Sequence, residues 1–129
     1  MRFWRARADA FETTLATRGF VGLLTRLHAA GYGSHVVFLA LPEPEIAIAR
    51  VKERVARGGH NVAPDVIRRR FFRGLAAFFG TYRGLAGSWI LMDNSSSGDP
   101  KIVASKAATG HETVIDVAPW NSLSRLASP

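Results

Sequence analysis

The chain carries two apolar runs of strand length. His35–Leu41 (HVVFLAL) and Ser88–Asp93 (SWILMD) are almost uninterrupted, which is typical of strands covered on both faces of a sheet. Ala8–Ala16 (ADAFETTLA) predicts a further short strand, and Ile102–Ser105 and Glu112–Asp116 predict paired short strands at the sheet edge. None of these runs reaches the ~18–20 apolar residues that a membrane-spanning helix needs, so no membrane association is expected.

Helical periodicity fills the segments between these runs. Apolar residues recur at helical spacing in Phe20–Gly31, Pro44–Arg57, Pro64–Tyr82 and Val117–Leu126. Strands that alternate with helices predict an α/β fold with a mainly parallel sheet. Functional residues in such sheets gather at the carboxyl ends of the strands.

The length and composition of the chain predict a single domain, residues 1–129. Hydrophobic residues make up 47% of the chain and charged residues 21%, both near globular averages. The absence of cysteine excludes a disulfide scaffold, a cysteine zinc site and a cysteine nucleophile, and it fits a reducing compartment. We therefore expect a cytoplasmic protein. The four histidines show no metal-ligand spacing, so no metal site is predicted.

Positive charge is concentrated in one segment. Residues 50–83 contain nine basic and two acidic residues, a balance of +7 that equals the net charge of the whole chain. Such a segment predicts an anionic partner, although a solvated basic helix face is the alternative.

Two groups of residues are candidates for substrate binding. Glu12-Thr13-Thr14 ends a predicted strand, where a carboxylate and hydroxyls can bind a substrate hydroxyl or order a metal-bound water. The alternative is a solvent-exposed strand end. Arg69 and Arg73 lie one helical turn apart and can approach one anion, as phosphoryl transfer requires.

The aromatic residues of the long helix predict a core. By helical spacing they occupy the arc opposite the arginines, whereas a base-stacking platform requires aromatic and basic residues on the same face. Nucleic acid is therefore disfavoured as a partner. The set comprises Phe71, Phe72, Phe78, Phe79 and Tyr82.

Several blocks together resemble the zeta-toxin-like P-loop kinases, over about Ala8 to Leu126. They are FETTLATRGFVGLLTRLHAAGY, VVFLALPEPEIAIARVKERVARGGHNV, IRRRFFRGLAAFF and a strand ending in MDN. The most specific are the strand-LP-x-P-helix-RV-x-x-GGH block and the arginine helix after it.

The resemblance implies an ATP-dependent phosphotransferase that uses Mg²⁺; the zeta toxins proper phosphorylate UDP-N-acetylglucosamine. It implies that Glu12 and Thr14 hold a small-molecule substrate, such as a nucleotide-sugar. It also implies a lid-like, arginine-rich helical segment, residues 57–83, that contacts ATP phosphates through Arg57, His60, Arg69, Arg70 and Arg73.

The chain departs from that family at the phosphate-binding loop. These kinases begin with a strand and a Walker A loop, G-x-x-x-x-G-K-[ST], whose backbone N–H groups and lysine hold the phosphates. No glycine precedes a lysine in the 129 residues, and the Asp that would act as general base is missing. We therefore expect a partial P-loop-kinase-like sheet without its central Walker strand, with no catalytic residue in this chain and no activity alone.

The missing strand leaves three structural outcomes. The ETT and VVFLAL strands pair directly, another polypeptide such as the N-terminal half fills the gap, or the chain is an unstable remnant. Two non-enzymatic hypotheses also stay open. The basic segment binds nucleic acid, or the exposed edges bind a partner protein.

Overall fold

The computed structural model describes residues 19–128. The predicted strand Ala8–Ala16 lies outside this range. The elements, in chain order, are α1 (Gly19–Ala29), β1 (His35–Ala40), α2 (Pro44–Ala56), α3 (Pro64–Ala77), a π-helical turn (Phe78–Tyr82), α4 (Arg83–Leu85), β2 (Ser88–Asp93), β3 (Lys101–Lys106), β4 (Glu112–Val114) and α5 (Val117–Ala127). Their order makes this an α/β fold, as predicted.

The four strands form one mixed sheet in the order β1-β2-β3-β4. β1 and β2 are parallel, with Val37 opposite Ile90, whereas β2–β3 and β3–β4 are antiparallel. The prediction of a mainly parallel sheet is therefore wrong for the described strands. The connections 94–100 and 107–111 are too short for a crossover, which needs about a dozen residues or more. The predicted pairing of the two short strands is confirmed.

The core lies on one face of the sheet. Trp89 and Leu91 of β2 are fully buried there, together with Phe78 of the π-helical turn. The Phe78 ring stacks on Phe38 at 5.1 Å and meets Trp89 edge to face, also at 5.1 Å between centroids. α5 closes this layer, because Trp120 stacks parallel to Trp89 at 6.2 Å. Such pairs add to the free energy gained by burying the rings.

The opposite face of the sheet exposes apolar side chains. Val37 and Leu39 of β1 are 54% and 51% exposed, and Ile102 of β3 is 43% exposed. Burial alternates along β1, so the prediction of a strand covered on both faces is wrong within residues 19–128. Among those residues, β1 pairs only with β2 and its other edge carries no strand.

Gly58 and Gly59 end α2, directly after the predicted helical segment Pro44–Arg57. Gly58 has φ +94°, a conformation that disfavours any residue with a Cβ atom. Its N–H donates to the carbonyl of Val55 at 3.0 Å, and the N–H of Gly59 donates to that of Arg54 at 2.8 Å. This pair of bonds is a Schellman motif, which stops α2. No helix formed by residues 19–128 has the length and hydrophobicity required to cross a membrane.

Candidate anion-binding site

The helix α2 is fixed at the carboxyl ends of the two parallel strands. It begins shortly after β1, and Pro44 is buried in its first turn. Arg50 donates from Nη2 to the carbonyl oxygen of Asn94 at 2.7 Å, just beyond β2. The N–H of Asn94 donates in turn to the carbonyl of Ala40, the last residue of β1, at 2.8 Å. The chain thereby places α2 at the sheet edge where ligands of open α/β folds bind.

The helices α2 and α3 form an antiparallel hairpin. Arg68 of α3 pairs with Glu45 of α2 at 3.3 Å, and Lys52 of α2 lies near Pro64 at the start of α3. An open cleft of about 390 Å³ runs between these pairs, with mainly apolar walls. The loop 57–63 joins the two helices at the end of the hairpin.

Four of the nine cations in residues 50–83 have partners within the fold. Arg50 bonds the carbonyl of Asn94, as described above, and the other three form ion pairs. These pairs are Arg57–Glu53 at 3.0 Å, Arg68–Glu45 at 3.3 Å and Arg83–Glu112 at 2.8 Å. The positive charge available to a ligand is therefore smaller than the sequence balance suggests.

The remaining five cations are exposed and have neither an ion pair nor a side-chain hydrogen bond among residues 19–128. Three of them lie on α3, where Arg69 and Arg73 are one turn apart and Arg70 is adjacent. Asp65, one turn before Arg69, forms no ion pair with it within that range. Neighbouring guanidinium groups of this kind can share one polyanion. The five are Lys52, Arg54, Arg69, Arg70 and Arg73.

The predicted phosphate-binding residues separate into two groups. Arg69, Arg70 and Arg73 share α3, whereas Arg57 and His60 belong to the loop that precedes α3. Arg57 ends α2 and its guanidinium is held by Glu53, although both side chains stay well exposed. His60 is exposed. The predicted substrate residues Glu12 and Thr14 lie outside the described range.

Asp93 and Asn94 are at the carboxyl end of β2, and both form local hydrogen bonds. Asp93 accepts a hydrogen bond at Oδ1 from the N–H of Ser95 at 2.9 Å, which is an Asx turn. The backbone of Asn94 is hydrogen-bonded to Arg50 of α2 and to Ala40 of β1. The carboxyl end of β2 is therefore held by hydrogen bonds within the fold.

Phe72 is the residue that helical spacing misplaces. Spacing predicts that it belongs to the core, but its side chain is 39% exposed. Its ring meets Phe71 edge to face, with centroids 5.1 Å apart and an interplanar angle of 89°. One feature of the sequence is consistent with this exposure: Phe72 lies three residues after Arg69 and directly before Arg73. The separation of aromatic and basic residues on this helix is thus incomplete.

Arg83 contacts other elements of the fold and is not part of the candidate anion-binding site on α3. Its guanidinium makes two hydrogen bonds to the Glu112 carboxylate, at 3.0 and 2.8 Å, and lies 5.0 Å from the Trp120 ring centroid. Its carbonyl accepts hydrogen bonds from Trp89 Nε1 at 3.0 Å and Lys106 Nζ at 2.8 Å. These contacts join several elements at one residue.

The same contacts shift two ionisation equilibria. The hydrogen bonds from Arg83 hold the pKa of Glu112 below its ordinary value, against a smaller opposing effect of burial. The hydrogen bonds to Glu112 likewise raise the pKa of Arg83. Charged donors and acceptors of this kind favour the ionised forms of both partners. No group of three or more His, Cys, Asp and Glu side chains within residues 19–128 is placed to hold a metal ion.

Comparison with known proteins assigns neither a family nor a function. No protein-family model matches the chain, and no solved structure matches it. A protein of Haemophilus influenzae described as uncharacterized is 30% identical over 60 residues. That alignment covers 46% of this chain and 43% of the relative, so the chain matches less than half of the relative's length.

Proposed function

We propose that this chain is the C-terminal portion of a zeta-toxin-like ATP-dependent kinase. In this proposal the arginine-rich helical segment, residues 57–83, is a lid-like element whose arginines contact the phosphates of ATP. A Walker A segment supplied by preceding sequence or by a partner chain completes the nucleotide site. The observation that carries the proposal is a group of exposed arginines on α3 that have no side-chain partner among residues 19–128, namely Arg69, Arg70 and Arg73.

The position of the hairpin supports this function. The hairpin follows β1 and is fixed by Arg50 at the carboxyl ends of two parallel strands. Nucleotides bind at the carboxyl ends of the strands in open α/β sheets. The edge of β1 that carries no strand within residues 19–128 would accept the central strand that the resemblance requires.

The chemistry of the arginines also supports it. A transferring phosphoryl group carries charge on three oxygens, and guanidinium groups stabilise that charge through paired N–H donors. When bound, Mg²⁺ and the Walker A loop would supply the charge neutralisation and the backbone cradle for the phosphates. In this proposal Arg69, Arg70 and Arg73 close over that site from α3, with Arg57 and His60 at the loop.

The test of this role is a comparison of AMP, ADP and ATP binding by NMR titration at low salt. We expect weak binding that strengthens with each added phosphate, and loss of most of that dependence in the double variant R69A/R73A. R26A/R125A removes the same charge elsewhere and should bind like the wild type. Affinity independent of phosphate number contradicts the lid role, and micromolar binding of Mg·ATP by the chain alone contradicts the need for another segment.

A gene-level observation tests the second half of the proposal. Translation of the DNA immediately upstream of Met1 is expected to contain G-x-x-x-x-G-K-[ST] in frame, or a partner gene supplies it. A protein that joins this segment to the chain should bind Mg·ATP and hydrolyse or transfer its γ-phosphate. Joined protein that folds but does not bind Mg·ATP would refute the proposal.

A further inference from the structure

The exposed face of α3 combines an aromatic ring with cations that form no ion pair within the described part of the chain. We define this face by Arg69, Phe72, Arg73 and Ala76, all of which are exposed. Residues three and four apart are neighbours on a helix surface, so Phe72 lies beside Arg69 and Ala76. Arg73 follows Phe72 directly. Such a combination is what a single-stranded nucleic acid needs, a cation for each phosphate and a flat ring for a base.

Phe72 is 39% exposed, which leaves part of its ring surface available for stacking. Arg68, one turn before it, pairs with Glu45 of α2 at 3.3 Å. Ala76, one turn after it, is too small to cover the ring. Phe71 contacts Phe72 edge to face, an arrangement that occupies no more than one face of the Phe72 ring.

We propose that the exposed face of α3 binds single-stranded nucleic acid, with phosphates on Arg69 and Arg73 and a base stacked on Phe72. A duplex does not present its base faces, so it would leave Phe72 without a role. An acidic protein segment would satisfy the arginines but gains nothing specific from an aromatic face. The proposal shares Arg69 and Arg73 with the proposed kinase function, but it adds Phe72, which the kinase function does not use.

Fluorescence anisotropy with a labelled oligo-dT and an oligo-U, measured over a series of salt concentrations, tests this proposal. Affinity should fall steeply with salt, and R69A/R73A should reduce the slope of log K against log salt by about 1.4, two single-strand phosphate contacts. The variant R26A/R125A, with equal charge loss elsewhere, should keep both contacts.

The Phe72 variants separate stacking from simple charge attraction. F72L keeps an apolar side chain of similar size but has no aromatic face, so it should weaken binding about fivefold or more. F72Y retains the ring and should bind like the wild type. Circular dichroism checks that each variant keeps its helix content.

Three results would overturn the proposal. One is the absence of binding at low salt, and another is F72L binding as tightly as F72Y. The third is equal affinity for poly-glutamate of matched charge, which would identify an acidic protein surface as the partner. This experiment depends on Phe72, whereas the titrations with AMP, ADP and ATP do not. The failure of one proposal therefore leaves the other testable.

Discussion

At the scale of single residues, Arg83 shows why a count of charges overstates a binding site. The sequence groups Arg83 with the basic segment, but its partner Glu112 lies 29 positions away. Both side chains are about one-third exposed, at 35% and 33%, and the contact is bidentate. Pairs with this geometry contribute more than a typical surface pair, which adds roughly 0–1 kcal/mol.

The Arg83–Glu112 contact predicts a pH dependence of stability. Because folding lowers the pKa of Glu112 below its ordinary value of 4.5, its contribution is present above that value and is lost as pH falls through the lower folded pKa. E112Q should therefore be about 1 kcal/mol less stable than wild type near neutral pH, and the two should converge in acid. Thermal unfolding followed across this pH range measures the difference.

E53Q is the matched control for this prediction. Glu53 also pairs with an arginine, Arg57, but the two side chains are 64% and 75% exposed. Solvent screens such a pair, so E53Q should change stability little at any pH. Parallel pH curves for E112Q and wild type would contradict the assigned role of Glu112.

Phe72 illustrates the limit of helical spacing at the same scale. Spacing places a residue on an arc, but the width of the buried arc depends on how many elements cover the helix. Ile67 and Leu75 are buried on α3, and Phe72 at the margin of their arc is not. The sequence therefore predicts the core of this helix correctly and its boundary wrongly.

At the scale of elements, helix ends follow local chemistry. α2 stops at Gly58 because this residue adopts φ +94°. Gly59 is required next to it because a Cβ atom there would lie 3.0 Å from the carbonyl oxygen of Arg54. Both requirements arise within six residues. The sequence could therefore predict the end of α2 without knowledge of the sheet.

Substitution of Gly58 tests this account. G58A should lower the free energy of unfolding by about 1–2 kcal/mol, because L-residues are strained at positive φ. Urea unfolding measures this, and hydrogen exchange in the last turn of α2 shows whether the loss is local. Gly84 lies in α4, where an added Cβ atom would meet nothing within 4 Å apart from its chain neighbours and its own helix backbone, so G84A serves as the control and should cost nothing. Equal losses in both variants would contradict the argument.

At the scale of the whole molecule, the main feature of residues 19–128 is a sheet face that exposes apolar side chains. Val37 and Leu39 expose more than half of their side chains on a strand that carries no charged residue after His35. An apolar strand with an open edge is a site of association between chains. The partner-protein reading of the sequence depends on this face.

We expect the chain to associate as its concentration rises, and V37K to suppress this association. Sedimentation velocity over a concentration series measures the effect. Val117, 59% exposed at the start of α5, provides the control, because V117K adds the same charge at a similarly exposed valine that belongs to no described strand. A wild-type chain that stays monomeric throughout, or equal effects of V37K and V117K, would contradict the assignment.

The sequence by itself determined the elements whose causes are local. The strand Ser88–Asp93, the helix stop at Gly58 and the helical segment that starts at Pro64 follow from side-chain periodicity, proline and glycine. These signals act over a few residues, so they need no partner from elsewhere in the chain. The concentration of arginines on α3 is equally visible in the sequence.

Only the tertiary structure decided what these elements contact. Within residues 19–128 it made two of the three strand pairings antiparallel and exposed apolar side chains on one face of β1. It also paired Arg83 with Glu112 and exposed Phe72. Each outcome depends on residues far apart in the chain being brought together by packing. The sequence therefore located the candidate anion site on α3, and the fold determined which of its arginines are free to act there.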